Sequence, residues 1–115
     1  MKKIFTRYEG NPILTKDDFP ADAASVLNPG ALKVNGEYVL LCDVTLSKRH
    51  IVLWTARSSD GVHFIPDDEP VKLAPHPDHP NELCVYDPRI VELEGSYYVT
   101  HTSNSPVGDR ISLLK

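Results

Sequence analysis

Residues 28–40, NPGALKVNGEYVL, carry the local pattern that decides the fold class. Apolar side chains recur at every second position on both sides of the pair Asn35-Gly36, at Leu32, Val34, Tyr38 and Leu40. An Asn-Gly pair between two such runs is typical of a type I′ turn in a two-residue β-hairpin. The stretch therefore predicts two antiparallel strands joined at Asn35-Gly36.

The same pattern returns 59 residues later, in residues 87–99, DPRIVELEGSYYV. The matched positions are Asn28-Pro29 with Asp87-Pro88, Gly36 with Gly95, and Tyr38 with Tyr97. Self-similarity at this period is typical of stacked units such as the blades of a β-propeller. The 115 residues hold one complete unit and the first part of a second. We therefore expect an all-β chain that forms about one and a half to two blades of a propeller and belongs to a longer protein.

Turn residues and prolines divide the rest of the chain. The run 51–56 predicts a strand, Asp60-Gly61 a tight turn, and residues 62–65 a return strand. Residues 21–27 are expected to form a short helical turn that ends at Asn28-Pro29. A proline-rich loop is expected over residues 66–80. These features divide the chain into an N-terminal extension (1–27), a first blade (28–80) and the start of a second blade (81–115).

Composition argues against several classes of protein. The net charge is −4, so there is no excess of cations to bind a nucleic acid. No apolar run has the length of a signal peptide core or of a membrane span. Two cysteines, Cys42 and Cys84, form neither a disulfide framework nor the spacing of a metal site. We expect a cytoplasmic protein with both thiols reduced.

The triplet Asp87-Pro88-Arg89 is the strongest candidate for chemistry. Proline restricts the residue before it to extended geometry, so the Asp87 backbone is expected to be rigid. Side chains alternate along a strand, which returns Arg89 to the side of Asp87. Asp-Pro is also a common start of a turn, and by itself the triplet does not distinguish a turn from a catalytic acid.

Four motifs in order resemble glycoside hydrolase family 130. They are RYEGNPIL at 7–14, NPGA at 28–31, ARSSDGVHF at 56–64 and DPRI at 87–90. The resemblance covers nearly the whole chain. It implies a five-bladed β-propeller longer than these 115 residues, and an enzyme that acts on mannosides by phosphorolysis or hydrolysis.

The resemblance also implies roles for particular residues. Asp87 is expected to be the proton donor of an inverting phosphorolysis of β-mannosides that yields mannose 1-phosphate. Inorganic phosphate is then the co-substrate, and no other cofactor is expected. In this family the proton is thought to pass to the bridging oxygen through a sugar hydroxyl. Substrate contacts are expected from Asn28, Arg57, Arg89 and Tyr86, and a weaker phosphate contact from Arg110.

Two other functions stay open at this point. An inverting glycosidase of the same or a related five-bladed family needs a second carboxylate as base, and Asp43 is a candidate. A non-catalytic carbohydrate-binding or assembly piece is also compatible with the sequence, and an open blade edge would favour homo-oligomers.

Three histidines raise further possibilities. His76 and His79 stand three apart in a proline-rich loop, but two ligands do not make a zinc site, so no metal is expected. His101 and residues 102–105 are expected to form a polar loop near the rim of the pocket.

Overall fold

The computed structural model describes residues 4–20, 22–48, 50–75 and 84–115. Seven strands and one 3₁₀ helix, Lys16–Asp18, make up its regular structure, and these ranges contain no α-helix. The strands are β1 (Ala23–Val34), β2 (Glu37–Leu46), β3 (Ile51–Ser58), β4 (Ile65–Pro66), β5 (Cys84–Leu93), β6 (Ser96–Ser105) and β7 (Gly108–Leu114). The predicted all-β class is confirmed. Within the same ranges, no helix is long and apolar enough to cross a membrane.

The strands form two antiparallel sheets that repeat one another. The first sheet has the order β1-β2-β3-β4 and the second the order β5-β6-β7. The hairpin turns have positive φ at both central residues, 50° and 87° at Asn35 and Gly36, and 52° and 73° at Glu94 and Gly95. A type I′ turn requires this combination, so the predicted hairpin and its repeat are confirmed.

Two local predictions are wrong. Residues 23–27 do not form a helical turn but begin β1, where Ala23 pairs with Leu46 on β2. The return strand after Asp60 is shorter than expected, since β4 contains only Ile65 and Pro66. Its expected first half is lost because the Asp60 carboxylate accepts the backbone N–H groups of residues 62 and 63, at 2.8 Å each.

The predicted polar loop at His101 and residues 102–105 is also wrong, because all of these residues belong to β6. Ser105 is the last residue of that strand and pairs with Gly108 on β7. The pairing with a neighbouring strand, which the local polarity of this segment does not reveal, keeps it extended. His76 and His79 lie outside the described residues.

The core lies under the first sheet. Phe19, Cys42, Val44 and Trp54 form a buried cluster. The rings of Phe19 and Trp54 meet edge to face, 5.7 Å apart and at 78°, a favoured arrangement for aromatic pairs. The Trp54 indole N–H donates to the Asp67 carbonyl at 2.7 Å, which ties the segment after β4 to the core.

The two sheets approach most closely where β1 passes β5. A Cβ atom placed on Gly30 would lie 2.9 Å from the Pro88 carbonyl oxygen and 3.2 Å from Ile90 Cγ1. Only a residue without a side chain fits this contact. Both Gly30 and Pro88 are buried, and their contact holds the first strand of one unit, β1, against the first strand of the next, β5.

Candidate active site

The two Asx-Pro dipeptides of the repeat are β-bulges. Pairing of β1 with β2 passes from Leu27–Asp43 directly to Gly30–Leu41, so Asn28 and Pro29 together oppose one residue, Cys42. The same irregularity occurs in the second sheet, where Asp87 and Pro88 oppose His101. A bulge bends a strand and redirects side chains, and bulges are frequent beside active sites.

Both residues that precede the prolines have left-handed backbones. The φ angle is 42° at Asn28 and 54° at Asp87. The extended backbone expected for Asp87 is therefore wrong, because the bulge imposes a conformation that the following proline alone would disfavour. Asn and Asp tolerate this region better than most residues, at a cost of about 1–2 kcal/mol. Such a conformation persists only when neighbouring contacts hold it.

Those contacts come from a network of three residues. The Asn28 side-chain amide donates to Asp87 Oδ1 at 2.7 Å. The Asp87 backbone N–H donates to Asp43 Oδ1 at 2.9 Å. The Asn28 side chain also lies close enough to the Asp43 carboxyl group to lower its pKa. Because the Asn28 amide N–H donates to Asp87, its carbonyl oxygen is left to accept a hydrogen bond from a ligand.

Asp43 is the buried member of the network, with 4% of its surface exposed. Burial raises its pKa, as does the negative charge of Asp87, whereas the hydrogen bonds from the Asp87 backbone and the Asn28 side chain lower it. The more distant Arg89 cation also lowers it. Sequence analysis considered Asp43 only as a possible base and did not place it beneath Asp87.

A cavity of about 290 Å³ opens above this network. Its lining contains Asn28, Asp87, Arg89, Thr100, His101, Thr102 and Ile111. Among the described residues, Asp87 is the one carboxylate in this lining. The structure therefore brings together three of the predicted site residues, namely Asn28, Asp87 and Arg89. The Arg89 guanidinium donates to the Pro88 carbonyl at 2.8 Å, and this bond limits where the cation lies.

Sequence analysis missed the two threonines of this cavity. Thr100 pairs with Arg89 and Thr102 with Tyr86, which places both on β6 beside the bulge. Counting residues outward from the Glu94-Gly95 turn pairs Thr100 with Arg89, but the bulge shifts the register before Thr102. His101, between them, is 3% exposed and lies against the cavity.

Arg57 lies elsewhere. Its guanidinium forms ion pairs with Asp67 at 3.0 Å and with Glu37 at 3.4 Å. The hydrogen bond with Asp67 is the main reason that the pKa of Arg57 is raised. Arg57 faces a separate cleft of about 640 Å³ between the two sheets, which also includes Ile90 and Tyr97. The structure does not bring Arg57 to the cavity of Asp87.

Tyr86 and Arg110 lie outside the lining of the cavity too. Burial and the negative charge of the neighbouring Asp109 carboxylate raise the pKa of Tyr86. Arg110 Nη2 donates to Ser105 Oγ at 3.5 Å. Its Nη1 is buried and has no hydrogen-bond partner among the described residues. A buried donor without a partner is costly, so this nitrogen is suited to an anionic ligand.

A bulge-mounted carboxyl group in a polar cavity on a bladed β-fold is an arrangement suited to acid catalysis on a sugar. Residues 2–115 match the profile of glycoside hydrolase family 130, described as β-1,4-mannooligosaccharide phosphorylase. The chain belongs to this family, whose members are glycoside phosphorylases and hydrolases. No curated protein matches the sequence significantly.

Solved structures agree with this assignment. A glycosyl hydrolase from Bacteroides ovatus is 26% identical with a TM-score of 0.76, over 95% of this chain and 37% of that protein. A second structure concerns glycoside hydrolases of the same family that target β-1,2-mannosidic linkages in Candida mannan. It is 28% identical with a TM-score of 0.74, over 93% of this chain and 36% of its own.

A third structure shares the fold. The β-1,2-mannobiose phosphorylase from Listeria innocua has a TM-score of 0.75 at 19% identity, over 93% of this chain and 46% of that protein. The family neighbours are five-bladed propellers. The present chain thus spans less than half the length of each of these three proteins, and the predicted part of a five-bladed propeller is confirmed.

Proposed function

We propose that this chain carries the proton donor of an inverting phosphorylase that cleaves β-mannosides with inorganic phosphate and releases mannose 1-phosphate. The observation that carries the proposal is that the cavity above the bulge has one carboxylate among the described residues, Asp87. Inverting hydrolysis uses a second carboxylate to activate water. Phosphate is already an anionic nucleophile and needs only to be positioned.

Asp87 acts as the general acid of the proposed reaction. A phosphate oxygen forms a bond to the anomeric carbon while the bond from that carbon to the bridging oxygen breaks. The protonated Asp87 supplies the proton that the leaving sugar needs, by way of a sugar hydroxyl, and becomes a carboxylate. The proton given up by monohydrogen phosphate restores the acid form through solvent. The leaving sugar departs as an alcohol.

Two neighbours of Asp87 support sugar binding. Because the Asn28 amide N–H already donates to Asp87, its carbonyl oxygen is the group that accepts a hydrogen bond from a sugar hydroxyl. Arg89 lines the same cavity with an exposed side chain and donates to another hydroxyl. The hydroxyls of Thr100 and Thr102 both donate and accept, which suits the remaining sugar oxygens.

Arg110 is the described residue best suited to bind phosphate. Its buried Nη1 has no partner within the described ranges, and a guanidinium binds phosphate oxygens with charge-assisted hydrogen bonds. Arg57 is less suited, because Asp67 and Glu37 already neutralise it. Tyr86 is proposed as a sugar contact beside Asp87, which it precedes on β5.

A hydrolase is the second candidate function. It is favoured by the 28% identical structure that concerns family members acting as hydrolases. Asp43 does not suit the role of base in this reaction, because it is buried and accepts the Asp87 backbone N–H. A hydrolase would therefore need a carboxylate from another part of the protein.

Phosphate dependence distinguishes the two reactions. The full-length protein that carries this chain is incubated with a β-1,4-mannooligosaccharide, with and without inorganic phosphate. A phosphorylase yields mannose 1-phosphate only when phosphate is present. Release of free mannose at the same rate without phosphate would refute the proposal in favour of hydrolysis. No turnover in either condition would favour the non-catalytic binding role.

Asp87→Asn tests the acid directly. Loss of a general acid costs about 10²–10⁴-fold in rate, so we expect kcat to fall by that factor. Asp18→Asn is the matched control, because Asp18 caps the 3₁₀ helix through Thr15 and is outside the cavity lining. Undiminished turnover of Asp87→Asn would remove Asp87 from the acid role.

Two broader predictions remain proposals. We propose a cytoplasmic setting, in which Cys42 and Cys84 stay reduced. We also propose homo-oligomers that pair through the open edge of the second sheet, where Ile111 and Leu113 on β7 are 75% and 63% exposed. Size-exclusion chromatography tests the second proposal, and a concentration-independent monomer would contradict it.

A further inference from the structure

The backbone of Asp87 needs a partner that holds it. Its left-handed φ of 54° lies at a bulge, directly before Pro88. Neither the sheet ladder nor the proline favours this conformation. The Asp87 N–H points away from the ladder of β6 and donates instead to Asp43 Oδ1 at 2.9 Å. Asp43 comes from the other sheet, on β2 opposite Leu27.

Asn28 links Asp43 to the Asp87 side chain. Its amide donates to Asp87 Oδ1 at 2.7 Å, and the same side chain lies close enough to Asp43 to lower the pKa of that carboxyl group. Asp43 therefore holds the main chain of Asp87 and lies beside the amide that orients its carboxyl group.

We propose that Asp43 is a positioning residue for the proton donor Asp87, a role that rests on the proposed function of Asp87. A carboxylate suits it because one oxygen accepts the Asp87 N–H and neither oxygen presents a donor to the nearby Asn28 amide. A hydroxyl or an amide at position 43 would offer fewer acceptors, or would present a donor to a donor.

The repeat shows that the fold by itself does not need this carboxylate. Thr102 is the position in the second unit that corresponds to Asp43. Asp43 directly follows Cys42, which lies opposite the first bulge, and Thr102 directly follows His101, which lies opposite the second. The second unit forms the same bulge and hairpin with threonine there. Burying a carboxylate costs folding free energy. Of the two units, the one that has a carboxylate at this position is the one in which it contacts Asp87.

The test compares leaving groups in the full-length protein. Asp43→Asn keeps the size of the side chain but turns an N–H₂ group toward Asn28 or Asp87. A displacement of the order of 1 Å costs about 100-fold in rate, so kcat on β-1,4-mannobiose with phosphate falls about 100-fold, with KM little changed. On 2,4-dinitrophenyl β-mannoside, whose leaving group needs no proton, the loss is less than about 10-fold, because acid assistance contributes little.

A control and a second measurement complete the test. Val44→Ala removes buried methyl groups from the core residue next to Asp43 and lowers stability without changing a contact to Asp87. The ratio of kcat on β-1,4-mannobiose to kcat on 2,4-dinitrophenyl β-mannoside should therefore equal that of the unmodified protein. Amide hydrogen exchange at Asp87 gives a readout that needs no turnover. We expect protection in the unmodified protein and exchange about 100-fold faster in Asp43→Ala.

The outcomes separate this proposal from the proposed function. Equal losses on both substrates, or no loss on either, would overturn the role of Asp43. If the unmodified protein hydrolyses mannosides without phosphate, the phosphorylase proposal fails, but the leaving-group comparison still tests Asp43, because hydrolysis also needs an acid. If no mannoside is cleaved or the variants do not fold, an unprotected Asp87 amide in the unmodified protein overturns the proposal and a protected one supports the hydrogen bond to Asp43.

Discussion

Replacing Gly30 by alanine should separate the two sheets at the place where they support the site. The new Cβ would lie 2.9 Å from the Pro88 carbonyl oxygen, whereas an ordinary contact begins at 3.4 Å. The opposing atom is backbone and both residues are buried, so no side chain can rotate away. β1 and β5 must therefore move apart by about 0.5 Å.

The magnitude follows from two opposing effects. Overpacking of a tight contact costs about 1–3 kcal/mol. Gly→Ala restricts the unfolded chain and returns about 0.4–1 kcal/mol. The net expectation for Gly30→Ala is a loss of about 1–2 kcal/mol in the free energy of unfolding. Because a shift of about 1 Å costs about 100-fold in rate, a shift of half that size predicts a loss of kcat of about 10-fold.

Equilibrium urea unfolding and steady-state kinetics measure the two quantities on the same protein. Gly36→Ala is the matched control, since Gly36 has a φ of +87° but no atom within 4 Å of the added Cβ. It should lose about 1 kcal/mol through backbone strain and keep its kcat. If Gly30→Ala is as stable and as active as the unmodified protein, the close contact does not position Asp87, and our account of the site is wrong.

Three further predictions concern titratable groups. Hydrogen bonds from His63 and from nearby backbone N–H groups lower the pKa of Asp60; its stabilisation is therefore present above its ordinary value of 3.8 and lost as pH falls. Asp60→Asn should lower Tm at neutral pH by an amount that shrinks in acid, and a constant difference would contradict this. Asp43 has the opposite sign, because burial raises its pKa; its contribution is present below 3.8 and lost as pH rises through the higher folded value. Urea unfolding of Asp43→Asn should therefore show a shallower loss of stability between pH 3.8 and that folded value, and parallel curves would disagree with the structure. Burial raises the pKa of Cys42 to about 11, so at pH 8 about one thiol in a thousand is ionised; mass spectrometry should find it unmodified by iodoacetamide in the folded protein, and rapid labelling would refute its burial.

Local chemistry was enough to predict the hairpins and their repetition. The pair Asn35-Gly36 favours a type I′ turn wherever it stands between alternating runs, and the structure has that turn. The recurrence of Asx-Pro at 28 and 87 indicated that both residues occupy the same place in each unit. The structure places both on bulges that meet at one cavity.

Long-range pairing decided what local chemistry could not. Residues 23–27 are strand rather than helix because β2 pairs with them. Arg57 binds Asp67 and Glu37 rather than joining Asp87, because the register of β3 points it into the cleft between the sheets. Asp87 is left-handed although a proline follows it, because a carboxylate on another strand accepts its N–H.

The sequence by itself therefore determined the strand-turn-strand units, since turns depend on neighbouring residues only. It also identified Asp87 as the acidic residue at the start of the second unit. The tertiary structure decided which carboxylate is buried and which lines a cavity. Asp43 and Asp87 are 44 positions apart, and two bulges set their register. A shift of one residue in either strand would turn these side chains to the opposite faces of their sheets, and no short-range pattern in the chain specifies that register.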